Sequence, residues 1–186
     1  MIIELAKRRR TVREFRRDDF PVEKIVKAIE VAREAPSGIN KQPWFFLIVG
    51  DRKRKKEIRE VAEIYEKISF QRLRGELKEW LEKNGVTWEK KFLEDAPYLV
   101  MVFSDARAPY SKESTWVAVG YFLLALEEEE LSTVTYTPPS PREIAKVVNA
   151  PKHYRLEVIM PVGYPKKETK KKERKGLNDI MAFEHF

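Results

Sequence analysis

The run WVAVGYFLLAL, from Trp116 to Leu126, is apolar on every side. A helix with no polar face has to be covered all round, by lipid or by protein. This run is about half of the roughly 20 residues that a membrane span needs, so protein must cover it. Ser111 to Glu130 is therefore predicted as a central buried helix, and the rest of the chain must supply layers around it.

The other apolar segments fit that demand. WFFLIVG, from Trp44, and YLVMVFSD, from Tyr98 to Asp105, carry no polar alternation and read as strands buried on both faces. YRLEVIMPVGY, Tyr154 to Tyr164, reads as a last core strand, and STVTYT, Ser132 to Thr137, as a short one. Helices are predicted over Ile2 to about Arg9, from near Pro21 to Pro36, and over PREIAKVVNA. The second carries Val22, Ile25, Val26, Ile29 and Ala32 as one buried stripe. Arg52 to Asn84 is a long charged helical region, broken near Gly75 and at the Asn84-Gly85 turn. The sum is an α+β domain of three layers, a central mixed sheet flanked by helices, spanning residues 1–186 without repeat or linker.

Composition narrows the chemistry. With no cysteine there is no disulfide, thiol nucleophile or thiolate metal site, and His153 and His185 are the only imidazoles, so no metal is expected. Both histidines are weak candidates for proton donation. Charged residues reach 36%, above the roughly one quarter usual for soluble proteins, in Lys, Arg and Glu together. That balance resembles proteins from hot environments, and a thermophilic source is expected. The N-terminus, MIIELAKRRR, has its apolar residues before its charges and does not read as a secretory signal, so a cytoplasmic location is expected. The basic runs from Asp51 to Lys56 and from Lys166 to Lys175 lack interleaved aromatics for base stacking; neither nucleic acid nor membrane is expected as a partner.

No Gly-x-Gly-x-x-Gly and no P-loop motif occurs. The densest charge is KRRRTVREFRR, which packs Arg8, Arg9, Arg10, Arg13, Arg16 and Arg17 into a short span. Guanidiniums this close repel one another, and their forked donors suit a phosphate. A solvated basic helix end is the alternative reading of this stretch taken alone.

RRTVREF, then APSGINKQPWFFLIV, then TVTYTP, then MPVGYP followed by KERKGLNDIM resembles the nitroreductase family of FMN enzymes, and most of all its iodotyrosine deiodinase branch. The four motifs stand in the family's order from about Arg8 to Met181. The resemblance implies a homodimer with FMN at the subunit interface and a C-terminal arm, residues 165–186, that wraps onto the partner through Leu177, Ile180, Met181, Phe183 and Phe186. It implies that Arg9, Arg10, Thr11 and Arg13 hold the phosphate, the ribityl chain and the pyrimidine edge of FMN. Pro36, Ser37 and Gly38 match the turn that reaches FMN from the other subunit, with Ile39 beside the substrate. Thr135, Tyr136 and Thr137 match the segment along the N5 side, and Arg174 a second phosphate ligand. A guanidinium such as Arg13 at the pyrimidine edge would stabilise the reduced flavin, and the Thr137 hydroxyl near N5 is the catalytic candidate, favouring one-electron steps.

The same resemblance implies a substrate lid over residues 65–93. Glu66 and Lys90 fall on positions that grip the amino-acid end of a halotyrosine, while a tyrosine of the branch falls on Phe70, which has no hydroxyl to offer. Trp88 is a candidate cap on the ring stack, and Glu94-Asp95 end the lid. The expected activity is reduction of a planar aromatic acceptor, a halogenated or nitrated phenol and in the sharpest form a halotyrosine, in a ping-pong cycle. The donor is expected to be NAD(P)H or a flavin or ferredoxin partner. A general nitroreductase or quinone reductase is the alternative, and a non-catalytic flavin-binding protein the second.

Overall fold

The computed structural model describes residues 1–185; Phe186, expected in the apolar arm, lies outside the described residues. Helices α1 (Ile2–Arg8), α2 (Glu23–Arg33), α3 (Arg52–Arg72), α4 (Gly75–Lys83), α5 (Phe92–Asp95), α6 (Ser111–Glu128) and α7 (Pro141–Val147) surround strands β1 (Trp44–Val49), β2 (Tyr98–Asp105), β3 (Ser132–Thr133) and β4 (Tyr154–Gly163). The sheet order is β1-β2-β4-β3.

Two cores lie on opposite faces of this sheet. Along β2, Leu99, Met101 and Phe103 join Ile58, Ala62, Leu93 and Ile144 on one face, while Val100 and Val102 join Ile25, Ala32, Ala118 and Phe122 on the other. Alternation of side chains along the strand produces that split. On β4, a register shift sets Val102 opposite Val158 and Phe103 opposite Leu156. The extra residue, Glu157, flips the alternation, so Leu156 and Val158 serve opposite cores.

Four expectations need correction. The four strands pair antiparallel throughout instead of forming a mixed sheet, and the parallel pairing among the described residues is a single bridge, Thr11 to Thr133. Helices on both faces make a central antiparallel strand as apolar as a parallel one, so the apolar runs carry no direction. Strand β1 is an edge strand and is not buried on both faces: Phe45 is 49% exposed and leans on Tyr154. Helix α6 is not covered all round, because Val117 and Tyr121 stand exposed beside Gly120, whose position has open space around it. In α2 the fully buried stripe is Ile25, Ala28 and Ala32, with Val26 turned outward.

Both ends of the chain are laced across β3 and the end of β4. Val12 N–H donates to the Thr133 carbonyl at 3.1 Å, Arg16 N–H to Tyr164 at 2.9 Å, and Lys166 N–H returns to Glu14 at 2.9 Å. The Lys171 ammonium caps the last turn of α1 through the carbonyls of Ala6 and Lys7, at 2.5 and 2.8 Å. No helix among the described residues is long and apolar enough to cross a membrane.

Candidate active site

Helix α1 ends at Arg8, and Arg9 turns into extended backbone. Val12 and Phe15 then plug into the core, which pins the segment that carries the arginines alongside β3 through the Thr11–Thr133 bridge. The six arginines of this stretch divide cleanly. Arg8 pairs with Glu127 at 3.4 Å, Arg16 with Asp18, and Arg17 with Asp95 at 3.8 Å. Arg9, Arg10 and Arg13 have no carboxylate partner among the described residues. The Nε atoms of Arg9 and Arg10 are buried and bonded to nothing.

Burial, and then the nearby Arg174 from the tail, pull the Arg9 guanidinium below its usual range. Two like charges gathered around orphaned buried donors fit an anion with several acceptor oxygens, such as the phosphate of FMN. Thr11 is half-buried between the unpaired arginines. Arg13 points outward into an open recess of about 660 Å3, shared with Phe15, Thr87 and Phe92.

The turn after α2 is held from inside. Ser37 Oγ accepts from Gln42 N–H at 2.9 Å, and Gly38 N–H donates to Ser114 Oγ at 3.1 Å. The Gly38 amide is therefore engaged by α6 and is not bare. A side chain there would set Cβ 2.7 Å from the Tyr110 ring. Ile39, Asn40 and Gln42 all take left-handed backbone, with φ of 45°, 55° and 46°. Such residues cost about 1–2 kcal/mol each, and they persist where the surroundings impose the shape. Pro36 is exposed, and Ile39 is 73% exposed at the tip.

The third group sits where α3 ends and the chain returns from α4. Glu66, eight residues after Ile58 on the inward face of α3, is buried, and Lys90 is buried opposite it. Lys90 Nζ stands 3.3 Å from Glu66 Oε2 and donates to the Thr87 carbonyl at 2.6 Å. Glu63, salt-bridged to Arg59, accepts the Lys90 backbone N–H at 2.8 Å. Lys90 also lies 5.3 Å from the centre of the Phe70 ring. Burial lowers the Lys90 ammonium from its ordinary range, against the pull of Glu66. Tyr136 Oη donates to Glu66 Oε1 at 2.9 Å. Burial, then the Glu66 carboxylate, push this phenol upward, so it remains a donor.

Residues 6–164 match the Nitroreductase family. The chain belongs to the nitroreductase family. It is 56% identical over 165 residues to an iodotyrosine deiodinase of Thermotoga neapolitana, covering 89% of each chain. It is 39% identical over 168 residues to one from Haliscomenobacter hydrossis, covering 84% of this chain and 76% of that one. A solved structure of oxidised iodotyrosine deiodinase bound to FMN and 3-iodo-L-tyrosine superposes with a TM-score of 0.96 at 52% identity, covering all of both chains.

Within this nitroreductase fold the expected residues fall into three groups. Arg174 lies near Arg9, with Arg10 next to it in the chain; Glu66, Phe70 and Lys90 converge; Pro36, Ser37, Gly38 and Ile39 share one turn whose tip faces outward. Thr135 is half-buried and Thr137 exposed, whereas Tyr136 between them turns inward to Glu66. Trp88 packs beside Lys67, whose ammonium lies 5.5 Å from its ring. Glu94 pairs with Arg59 and Asp95 with Arg17, which makes both structural. His153 stacks on Tyr154, and His185 is exposed near the end. Among the described residues no group of acids and histidines could hold a metal. Sequence reasoning missed Ser114, which fixes the Gly38 turn, and the bond between Tyr136 and Glu66; neither carries a local signature.

Proposed function

We propose that the chain is an FMN-dependent oxidoreductase that reductively dehalogenates a halotyrosine. The observation that carries this reading is the buried Glu66–Lys90 pair, 3.3 Å apart within residues 65–93. Opposite charges drawn out of water at one place are matched by one ligand that brings both, an amino-acid zwitterion. Its ammonium goes to Glu66 and its carboxylate to Lys90. Bound FMN supplies the reducing electrons.

The chain's own residues do the rest. Arg9 and Arg10, whose Nε donors are otherwise unmet, hold the phosphate together with Arg174. Arg13 places positive charge at the edge of the recess, where an aromatic ring system with an anionic rim is favoured. Thr137 offers an exposed hydroxyl as the proton-handling group on the N5 side. Closing residues 65–93 over the ligand excludes water.

The active unit is a homodimer in this reading. Val117 and Tyr121 on α6, Ile39 and Tyr110 beside the strained turn, and Leu177, Ile180, Met181 and Phe183 in the tail are all exposed and apolar. Patches of that kind mark protein contacts. NAD(P)H is the expected reductant.

The test is iodide release from 3-iodo-L-tyrosine by the FMN-loaded protein under dithionite. Each turnover consumes two electrons and one proton and yields one iodide and one tyrosine. No iodide beside brisk nitroaromatic reduction would make it a general nitroreductase, a reading that Phe70, with no hydroxyl for a zwitterion, favours. The mass in solution tests the dimer.

A further inference from the structure

We infer that Tyr136 is a positioning residue for substrate recognition: its hydroxyl clamps one oxygen of Glu66 so that the other faces the incoming cation. This rests on the halotyrosine reading above and deepens it.

The hydroxyl comes from a fixed origin. Tyr136 N–H donates to the Ile159 carbonyl at 3.0 Å, and Ile159 N–H returns to Tyr136 at 2.8 Å. Its ring packs edge-on against Phe92 with centroids 5.7 Å apart. Alternation along the chain sends Val134 and Tyr136 into the core and leaves Thr135 and Thr137 on the opposite side. The middle residue of Thr-Tyr-Thr is thus committed to the lid, and its neighbours are left for a ligand.

The two oxygens of Glu66 are not equivalent. Oε1 takes the hydroxyl at 2.9 Å, within good hydrogen-bond range. Oε2 faces Lys90 at 3.3 Å, and Lys90 makes its shorter bond to the Thr87 carbonyl at 2.6 Å. The Tyr136 end is therefore the fixed one and the Lys90 end the exchangeable one. An ammonium can replace Lys90 at Oε2 without disturbing Oε1. Phe70 lies beside the same pair with a bare ring, so among the described residues Tyr136 supplies the one hydroxyl bonded to Glu66. A residue that reads as part of a flavin-side strand segment acts here on the far end of the substrate.

The experiment compares FMN-loaded wild type and Tyr136→Phe with two ligands, 3-iodo-L-tyrosine and 2-iodophenol, by quenching of flavin fluorescence and by steady-state kinetics. Loss of one charge-assisted bond should weaken 3-iodo-L-tyrosine roughly ten- to hundredfold, with the loss in KM and not in kcat. 2-Iodophenol has no ammonium and should bind unchanged. Equal weakening of both ligands, or no weakening of either, would overturn the inference. If the wild type itself fails to bind 3-iodo-L-tyrosine, the halotyrosine reading falls. The positioning role is then decided by Tm values of Tyr136→Phe, Glu66→Gln and the double variant. Coupled effects support the clamp, and additive effects overturn it.

Discussion

Replacing Arg9 by Ala should strip the protein of its preference for a phosphorylated flavin. Arg9 is half-buried, its Nε has no partner, and Arg174 is close enough to depress its ionisation. A charge-assisted hydrogen bond contributes about 1.5–3 kcal/mol, so Arg9→Ala should raise the FMN Kd roughly ten- to hundredfold. The same number appears in stability. FMN at a hundred times its Kd stabilises the wild type by about 2.7 kcal/mol, or about 5–11 °C in Tm for a chain of this size. At that FMN concentration the variant retains about 1.4 kcal/mol if the loss is tenfold and about 0.4 kcal/mol if it is hundredfold. The assay is titration of flavin-stripped protein by fluorescence, backed by calorimetry, with riboflavin as control. Riboflavin lacks the phosphate, so its Kd should not respond to the substitution. An unchanged FMN Kd, or equal losses for FMN and riboflavin, would refute the assignment of this guanidinium to a phosphate.

Three further outcomes follow from the packing. Lys90→Met strands the Glu66 charge in a buried site and should cost about 3–5 kcal/mol, whereas adding Glu66→Gln should recover much of it; a single variant as stable as the wild type in calorimetry would contradict the burial of this pair. Tyr136 has its phenol raised from an ordinary value of 10.0 by burial and Glu66. Its contribution is present below about pH 10 and lost as pH rises above it, because only the unfolded chain then ionises. Tyr136→Phe should flatten that alkaline decline in denaturant titrations between pH 9 and 11, and an unaltered decline counts against it. Gly38→Ala drives a methyl group to 2.7 Å from Tyr110 and should cost about 1–3 kcal/mol, with Tyr110→Gly, at φ 51°, restoring the turn. Equal destabilisation with and without Tyr110 would place the strain elsewhere.

Much of this architecture is legible in the sequence because burial leaves a local trace. The apolar run at Trp116 forces a covered helix, Gly75 and the Asn84-Gly85 turn bound α4, and the resemblance singles out Arg9, Glu66 and Lys90 as candidates. What is hidden is relational. Nothing near Phe45 says that β1 lies at the sheet's edge, because its apolar run reads the same as that of a central strand. The direction of the strands is equally silent. The bond from Tyr136 to Glu66 joins residues 70 apart, and Arg174 meets Arg9 from the opposite end of the chain. The extra residue at Glu157 has no sequence signal either, since only its pairing with β2 reveals it.

The lacing of the two termini has a consequence for how the protein is made. Val12, Glu14 and Arg16 are made long before Thr133, Tyr164 and Lys166, the residues that anchor their backbone. Val12 and Phe15 wait exposed until then, although both end in the core. A nascent chain therefore cannot seat the arginine-rich segment until residues 133–166 have been made. A bulky fusion at the first residue would sit at the seam that closes last, whereas one inserted at the exposed Asn84-Gly85 turn would leave that closure untouched.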